Sequence, residues 1–334
     1  MGVLMKLSFD DVTIVPQFTT VPSRGDERLN PYDVMGKLPI ISSNMDSVTN
    51  ASMARAMNFH NAHAALHRFC PIDENVAMFR NSPLDTFVSI GVGEKELERA
   101  KALYAAGATK FIIDVAHGAS IIVAEQTKLV REIIGPYSYL VVGNFATAKS
   151  INTFMKYAGV KVDAVKVGIG GGSACTTRVV TGCGLPTLSS VLDCALQPIP
   201  IIADGGCRTS GDIVKALVAG ADFVMLGGML AGCIESAGEL VKNELGHFKR
   251  YRGSASAESY AVQNKEAPWR APEGEAFDTP VSAPVKDVLQ TIEGGIRSAM
   301  GFVNAYNLQQ LRANSELSIM TTAGAIESRA HGNQ

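Results

Sequence analysis

One cysteine lies in a segment whose composition suits covalent chemistry. Cys175 belongs to the run Gly-Gly-Gly-Ser-Ala-Cys-Thr-Thr-Arg at residues 170–178, which has no apolar periodicity that would bury the thiol. Hydroxyl groups, glycine and Arg178 surround it in the sequence, and a cation together with loop N–H dipoles stabilises a thiolate. Cys175 is therefore a candidate nucleophile. No histidine neighbours it, so a dyad like that of the cysteine proteases is not supported.

Three glycine-rich segments could hold a phosphate group. Gly205-Gly206 and Gly227-Gly228 each follow an apolar run, and residues 170–173 form the third segment. Backbone N–H groups bind phosphate oxygens, and glycine permits a close approach that a Cβ atom would prevent. One such pair could be a simple turn, but three after consecutive predicted strands favour a phosphorylated small molecule as ligand.

Three acidic residues are candidates for hydrogen bonding and proton transfer. Asp204 could accept two hydrogen bonds from a ribose diol, and Asp114 could orient the amide of a bound cofactor. Glu273 lies in a long polar segment and could be a proton donor that a lid brings to the site. Taken singly, each is more often a solvated carboxylate or a helix cap, so the fold must bring them together.

The elements that would position these residues recur regularly. Eight short apolar runs start 22 to 29 residues apart, with one exception, and read as strands buried on both faces. These predicted strands are 39–44, 63–67, 86–91, 110–115, 139–144, 164–168, 200–204 and 222–226. Helical patterns lie between them at 50–58, 94–106, 120–134, 148–157, 185–196 and 211–219. The alternation predicts an α/β protein, a (β/α)8 TIM barrel, in which active sites lie at the C-terminal strand ends.

An open, doubly wound sheet is the alternative fold. That fold would show Gly-x-Gly-x-x-Gly after its first strand, and Ser-Ser-Asn-Met-Asp at 42–46 does not match. We therefore predict one barrel domain over residues 1–314, with a mobile flap around 245–282. Residues 315–334 are predicted to form a weakly ordered tail.

Composition and charge exclude several classes of protein. The 334 residues carry a formal net charge of −2, which predicts neither a nucleic acid nor an acidic membrane as partner. No run approaches the roughly 18–20 apolar residues of a membrane span. Six cysteines without a Cys-x-x-Cys pair predict neither a disulfide scaffold nor a structural zinc site. We expect a cytoplasmic protein.

Longer motifs resemble those of the IMP dehydrogenase/GMP reductase family over residues 7–312. Lys-Val-Gly-Ile-Gly-Gly-Gly-Ser-Ala-Cys-Thr-Thr-Arg at 166–178 resembles the catalytic cysteine loop of that family. Ile-Ala-Asp-Gly-Gly at 202–206 and Ala-Gly-Ala-Asp-Phe-Val-Met-Leu-Gly-Gly-Met-Leu-Ala-Gly at 219–232 resemble its phosphate and ribose segments. Residues 41–46, 143–144 and 294–298 agree as well.

Three features are similar to the reductase branch of the family. Residues 66–87 leave no room for the regulatory (CBS) domain that the dehydrogenases carry, and Asp-Val-Ala-His-Gly-Ala-Ser at 114–120 looks like the reductase loop. The flap lacks the Arg-Tyr-Phe segment whose arginine activates water in dehydrogenases, and Trp-Arg-Ala-Pro-Glu-Gly at 269–274 looks like its reductase counterpart. Three positions depart from the reductase pattern. Gly171 replaces a usual proline and should loosen the loop, Tyr-Arg-Gly at 251–253 resembles a dehydrogenase phosphate segment, and Trp269 replaces a tyrosine.

The resemblance implies an NADPH-dependent reductive deamination of GMP to IMP and ammonia. Cys175 would form a covalent thioimidate, with Thr177 and Glu273 as a proton relay. The implied nucleotide-binding residues are Ser173, Asp204, Gly205, Gly206, Gly227, Gly228, Gly253, Ser254, Ala255, Arg270 and Gly274. The implied dinucleotide-binding residues are Ser23, Arg24, Arg68, Asp114, Val115, Ala116, Ile169, Gly170, Trp269, Ser298 and Gly301.

The resemblance also implies a cofactor preference, an assembly and a cation. Arg68 or Arg24 near a 2′-phosphate would favour NADPH over NADH. Ser23 and Arg24 would reach the cofactor of a neighbouring subunit in a homotetramer. A monovalent cation such as K⁺ would lie at Gly170, Gly172, Cys175 and Arg178.

Three other functions stay open at this point. The first is an IMP dehydrogenase without the regulatory domain, which would convert IMP to XMP with NAD. The second is a non-catalytic nucleotide-binding barrel, and the third is a flavin-dependent phosphate-binding barrel.

Overall fold

The computed structural model describes residues 5–263, 269 and 271–328. Its strands, in chain order, are β1 (Val12–Ile14), β2 (Ile40–Ser42), β3 (His63–Leu66), β4 (Phe87–Ile90), β5 (Lys110–Asp114), β6 (Tyr139–Phe145), β7 (Ala164–Val167), β8 (Ile201–Asp204), β9 (Phe223–Leu226), β10 (Leu240–Asn243), β11 (Gly246–Arg252), β12 (Ala276–Pro280) and β13 (Leu317–Ile319). Its helices are α1 (Ala51–Phe59), α2 (Ile72–Arg80), α3 (Glu94–Ala105), α4 (Ile121–Ile134), α5 (Ala148–Ala158), α6 (Thr177–Thr181), α7 (Thr187–Cys194), α8 (Ser210–Val218), α9 (Gly228–Ala231), α10 (Ala257–Val262), α11 (Val285–Phe302), α12 (Leu308–Asn314) and α13 (Thr322–Glu327).

Strands β2 to β9 form a closed parallel barrel in chain order. The ring closes where β2 pairs with β9, with Ile41 opposite Met225. Each predicted strand is present, and only β6 extends past its predicted end, by one residue. The predicted (β/α)8 TIM barrel is therefore confirmed.

Two layers of apolar side chains explain why the strands are apolar almost throughout. One layer fills the barrel interior and consists of Ile41, Ala65, Phe87, Ile112, Val141, Ala164, Ile202, Phe223 and Met225. The alternate side chains pack outward against the helices in a second, larger cluster. Because both faces of each strand are covered, alternation with polar residues is not needed. The interior is a packed core, which leaves the strand ends for binding.

Side-chain caps fix where four of the barrel helices begin. Asn50, Ser120, Thr147 and Thr209 each accept a hydrogen bond from a backbone N–H in the first turn of α1, α4, α5 and α8. These polar residues follow the loops at the carboxyl ends of their strands. The loops are thereby held between a strand end and a capped helix.

The segment between β3 and β4 contains α2, which the predicted helices did not include. Its buried residues are Asn75 and Phe79, and its apolar residues Ile72, Val76 and Phe79 recur at helical spacing. All residues between these strands are described, and α2 is the element that fills the interval. No regulatory domain is inserted there.

The predicted flap, around residues 245–282, contains two strands, and a third strand precedes it. Strands β10, β11 and β12 form a three-stranded antiparallel sheet, in which Tyr251 lies opposite Phe277. The sequence predicts only a long polar segment here, because these strands are partly exposed and lack a continuous apolar run.

The segment after residue 314 differs from the weakly ordered tail that we expected. β13 pairs with β1 in an antiparallel ladder, in which Thr13 lies opposite Ser318. Val15 N donates to Glu316 O at 2.9 Å, and Met320 N donates to Asp11 O at 2.8 Å. The N-terminal arm (residues 5–39, before β2) thus supplies the hydrogen-bond partners of this segment. Residues 329–334 lie outside the described part of the chain. Across the described residues, every helix is too short or too polar to cross a lipid bilayer.

Candidate active site

Two adjoining cavities lie at the carboxyl ends of the barrel strands. The larger, of about 430 Å³, is lined by Cys175, and the smaller, of about 290 Å³, by the glycine pairs that follow β8 and β9. Gly171, Asp204 and Tyr251 belong to the walls of both cavities. Because the strands are parallel, their carboxyl ends meet on one face of the barrel. One ligand can therefore extend from the glycine-lined cavity to the thiol.

Most of the predicted site residues line one of these cavities. The larger cavity is lined by Arg68, Asp114, Val115, Ala116, Ile169, Gly170, Gly172, Cys175, Thr177, Asp204, Gly205, Gly253, Ser254, Ala255, Glu273 and Gly274. The smaller cavity is lined by Gly172, Ser173, Arg178, Asp204, Gly205, Gly206, Gly227 and Gly228. The fold thus gathers residues that are far apart in the sequence.

Five predicted dinucleotide-binding residues do not line either cavity within one chain. They are Ser23, Arg24, Trp269, Ser298 and Gly301. Arg24 Nη1 donates to Ser298 Oγ at 3.5 Å, so the N-terminal arm meets α11 at this point. α11 packs against α8 and α1 in the outer ring of helices, which separates its residues from Cys175. Trp269 is 78% exposed, and Arg270 lies outside the described residues.

The thiol of Cys175 contacts a hydroxyl group. Sγ donates to Thr177 Oγ1 at 3.2 Å, and the backbone N–H of Cys175 donates to Gly172 O at 3.0 Å. The half-buried thiol therefore lies at the end of a tight turn, immediately before α6. Arg178, which the sequence places near the thiol, donates from Nε to Gly170 O at 2.8 Å instead. The hydroxyl of Thr177 is the polar group that adjoins the sulfur.

The flap carries Glu273 to the cysteine loop (residues 170–178) on a short extended segment. On one side, Thr176 N donates to Glu273 O at 2.9 Å, and Glu275 N donates to Ala174 O at 2.8 Å. On the other side, Glu273 N donates to Ala255 O at 3.0 Å. Residues 273–275 thus lie between the cysteine loop and residues 255–256, just before α10, and Gly274 forms an isolated β-bridge to each side. This backbone pairing fixes Glu273 in the wall of the cavity that holds the thiol.

A buried lysine joins the two predicted aspartates. Lys166 Nζ lies 2.9 Å from Asp114 Oδ1 and 2.5 Å from Asp204 Oδ2, and its side chain is 3% exposed. Asn144 Nδ2 also donates to Asp204 Oδ2, at 2.9 Å. Burial alone would lower the pKa of Lys166, but the two carboxylates outweigh it and raise the pKa. Burial opposes the ionisation of Asp114, yet the charges of Lys166 and Arg68 keep its pKa below the usual value.

Lys166 was given no role from the sequence alone. The signal was present, because a lysine in the middle of the apolar strand β7 has no solvent to face. A charge buried in a barrel requires partners of opposite charge. The aspartates at the ends of β5 and β8 supply them.

Removing this cation should destabilise the protein strongly. For Lys166→Met we expect the free energy of unfolding at pH 7.5 to fall by about 3–5 kcal/mol, because two buried carboxylates lose their partner. The lowered pKa of Asp114 stabilises the wild type fully above the ordinary carboxyl pKa of 3.8, and this contribution is lost as the pH falls below that value. The gap in unfolding free energy between variant and wild type should therefore narrow only below about pH 4, towards pH 3. Urea unfolding at both pH values measures it.

The matched control is Lys161→Met. Lys161 also pairs with an aspartate, Asp163, at 2.7 Å, but its side chain is 71% exposed. Exposed pairs contribute about 0–1 kcal/mol. Equal losses in the two variants would contradict the structural role assigned to Lys166.

The smaller cavity has the features of a phosphate site. Tyr251 OH accepts a hydrogen bond from Ser173 Oγ at 3.4 Å, and burial raises the pKa of Tyr251 so that its phenol stays protonated. A Cβ atom on Gly228 would lie 2.8 Å from Ser173 Oγ, and one on Gly227 would lie 3.0 Å from Tyr251 OH. Only glycine leaves room for oxygen atoms between these groups. Tyr251 is a site residue that the predicted set did not include.

Arg252, the arginine of the Tyr-Arg-Gly segment, pairs with a carboxylate of the barrel. Arg252 Nη2 donates to Asp46 Oδ2 at 2.7 Å, and Nε lies 3.1 Å from both carboxylate oxygens. Asp46 is almost fully buried and follows β2, so this pair anchors β11 of the flap to the barrel. Hydrogen bonding to Asp46 raises the pKa of Arg252. The segment therefore anchors the flap through Arg252 and places Tyr251 in the wall of the smaller cavity.

The larger cavity is lined by Arg68 and Asn144, each of which has a polar atom without a partner among the described residues. Arg68 Nη2 donates to Asp114 O at 3.3 Å, and its guanidinium lies 4.9 Å from the centre of the Phe69 ring. Arg68 Nε and Asn144 Oδ1 are buried polar atoms that have no partner among the described residues. A buried donor and acceptor beside a cavity match the needs of a carboxamide.

The predicted cation site stays a prediction. The carbonyl of Gly170 accepts one hydrogen bond from Arg178 Nε, and that of Gly172 accepts one from the backbone N–H of Cys175. Each carbonyl oxygen has a second lone pair, but the positive charge of Arg178 beside Gly170 O disfavours a cation there.

Comparisons with known proteins identify the family of this chain. The model of the IMP dehydrogenase / GMP reductase domain matches residues 6–331. GMP reductases of Escherichia coli O157:H7 and Shigella boydii serotype 18 are 38% and 37% identical over 325 residues, which is 92% of this chain and 92% of each relative.

Two solved structures are also similar. One is a cysteine-to-alanine variant of GMP reductase from Trypanosoma brucei in complex with guanosine 5′-monophosphate, with a TM-score of 0.90 and 25% identity over 99% of this chain and 98% of that one. The other is inosine 5′-monophosphate dehydrogenase from Legionella pneumophila, with a TM-score of 0.85 and 40% identity over 96% of this chain and 100% of that one. The chain belongs to the IMP dehydrogenase/GMP reductase family.

Proposed function

We propose that the protein is a GMP reductase, which converts GMP to IMP and ammonia with NADPH as reductant. The observation that carries this proposal is the meeting of the Cys175 thiol, the Thr177 hydroxyl and Glu273 in one cavity that continues into a glycine-lined phosphate pocket. The relatives named GMP reductase support the same assignment.

The first half of the reaction is nucleophilic substitution at the purine. The phosphate of GMP lies among Ser173, Gly228 and Tyr251, and its ribose diol reaches Asp204. The Cys175 thiolate adds to C2, and the bond from C2 to the exocyclic nitrogen breaks. Ammonia leaves with a proton that the enzyme provides, and the purine stays bound to sulfur as a thioimidate.

Thr177 and Glu273 are suited to supply that proton. The hydroxyl of Thr177 already adjoins the sulfur, and Glu273 shares the cavity wall with it. A carboxylic acid acting through a hydroxyl moves one proton to the leaving nitrogen, which would otherwise depart as an unstable amide anion.

The second half of the reaction releases IMP. A reduced nicotinamide bound beside Arg68 and residues 114–116 would supply a hydride. When C2 accepts it, the bond from C2 to sulfur breaks and the thiolate is restored. The overall change is GMP, NADPH and two protons to IMP, NADP⁺ and ammonium. Arg68 or Arg24 would favour the 2′-phosphate of NADPH.

A second candidate function is that of an IMP dehydrogenase without a regulatory domain. The similar structure from Legionella pneumophila favours it, because that protein is an inosine 5′-monophosphate dehydrogenase and its sequence is 40% identical. The flap weighs against it, because residues 253–273 contain no Arg-Tyr-Phe segment to activate water. Arg252 directly precedes residues 253–273 in the sequence, and its guanidinium is hydrogen-bonded to Asp46.

Absorbance at 340 nm separates the two candidates. We expect NADPH oxidation with GMP, with one ammonium formed per NADPH, and no NAD⁺ reduction with IMP. The reverse result would establish the dehydrogenase and overturn the proposal. Turnover in neither direction, with tight GMP binding, would favour a non-catalytic barrel, and a yellow protein that absorbs near 450 nm would indicate a flavin enzyme.

We also propose a homotetramer in the cytoplasm. Ser23, Arg24 and Ser298 form a group remote from the cavity of their own chain, which suits a contact with the dinucleotide of a neighbouring subunit. All six cysteines are unpaired, as is usual in a reducing compartment. Sedimentation velocity tests the assembly.

A further inference from the structure

Thr187, which no prediction included, lies beneath the phosphate cavity. It is the first residue of α7, is 4% exposed and belongs to the wall of the smaller cavity. Its Oγ1 is buried and has no hydrogen-bond partner among the described residues. Leaving a buried hydroxyl without a partner costs about 1–3 kcal/mol. Such a cost in a binding-site wall calls for a functional reason.

The hydroxyl of Thr187 occupies the space between two phosphate-binding loops. A Cβ atom on Gly171 would lie 2.2 Å from Thr187 Oγ1, and a Cβ atom on Gly206 would lie 3.3 Å from it. Gly171 belongs to the loop after β7, and Gly206 to the loop after β8. The oxygen therefore packs against the main chain of both loops.

Gly171 leaves the space that Thr187 Oγ1 occupies, because it has no Cβ atom. The family resemblance places a proline here, and we expected the glycine to loosen the loop. In the structure a proline would carry the Cβ atom that collides with Thr187, so the glycine permits close packing. At 2.2 Å something must move, and Thr187 is β-branched, buried and within a helix, which restricts its rotamers.

We propose that Thr187 is a positioning residue that sets the spacing between the two loops and so shapes the site for the substrate's 5′-phosphate. The two loops also touch directly, because a Cβ atom on Gly205 would lie 2.8 Å from Gly172 N. A displacement of Gly171 is therefore passed to its neighbours, which include Ser173 and its hydroxyl. This inference rests on the proposed function only in taking a purine 5′-monophosphate as the ligand.

The test compares GMP with guanosine, which lacks the phosphate, by titration calorimetry. We expect Gly171→Ala to weaken GMP binding about 10- to 100-fold, which corresponds to one or two charge-assisted hydrogen bonds, and to leave guanosine binding within about threefold. Thr187→Ala should weaken GMP binding less. The double variant should bind GMP more tightly than Gly171→Ala does, because the smaller side chain admits the new methyl group.

Thr187→Ser is the conservative control, because it keeps Oγ1 and should bind GMP as the wild type does. Equal weakening of GMP and guanosine, or no recovery in the double variant, would overturn the proposal. If Gly171→Ala does not fold, the GMP-to-guanosine ratio of Thr187→Ala against Thr187→Ser decides alone. These measurements need no turnover, so they also stand if GMP is bound and not reduced.

Discussion

Replacing Cys175 with alanine should abolish the reduction of GMP while the nucleotide still binds. In the proposed reaction the sulfur forms and breaks the only covalent bond between enzyme and substrate. No other group can therefore replace it as the nucleophile. We expect kcat to fall by at least about 10⁴-fold, as when the nucleophile of a covalent mechanism is lost. Stopped-flow absorbance at 340 nm measures turnover, and calorimetry measures GMP binding.

Cys183→Ala is the matched control. Cys183 is an exposed cysteine that follows α6, eight residues after Cys175, and it lines neither cavity. Its loss should leave turnover unchanged. Intact mass measured after mixing with GMP should show a purine adduct on the wild type and on Cys183→Ala only. Undiminished activity of Cys175→Ala would remove the covalent mechanism altogether.

Glu273→Gln should slow the enzyme by about 10²–10⁴-fold in kcat with little change in the KM for GMP. The amide keeps the size and the backbone pairing of the flap segment but cannot release a proton at neutral pH. Thr177→Val should show a loss in the same range, because it interrupts the relay beside the sulfur. Steady-state kinetics at saturating NADPH measures both variants.

A substrate whose leaving group needs no proton tests whether Glu273 acts by proton transfer. Chloride departs from C2 without a proton, so a 2-chloro analogue of GMP should react with Glu273→Gln at nearly the wild-type rate. Glu275→Gln is the matched control, since Glu275 also pairs through its backbone with the cysteine loop but is exposed. An equal loss with GMP and with the chloro analogue would mean that Glu273 acts on the structure of the flap and not on proton transfer.

The barrel could be predicted because its strands are buried on both faces. Apolar runs such as the one ending at Asp114 are local features of the sequence, and polar residues after each run mark the catalytic face. Helix α2 carries apolar residues at helical spacing, Ile72, Val76 and Phe79, so its absence from the predicted helices is an error of reading. The flap strands could not be predicted as the barrel strands could, because they are partly exposed and lack a continuous apolar run.

The contacts that tune the site could not be predicted. Asp46 and Arg252 are 206 positions apart, and nothing in either neighbourhood selects the other. The charge of Lys166 was visible, but its two partners depend on which strands are adjacent. The fit of Thr187 to Gly171 depends on a separation of a few ångströms between two loops, which no residue pattern encodes.

The backbone pairing of residues 273–275 on both sides links the position of Glu273 to the wall of the larger cavity. Four main-chain hydrogen bonds tie this ribbon to its neighbours, and lifting it would break them together. The same displacement would move Glu273 away from the thiol and open the larger cavity to bulk water. In the proposed reaction, proton transfer to the leaving group and exclusion of water would therefore both require residues 273–275 in place.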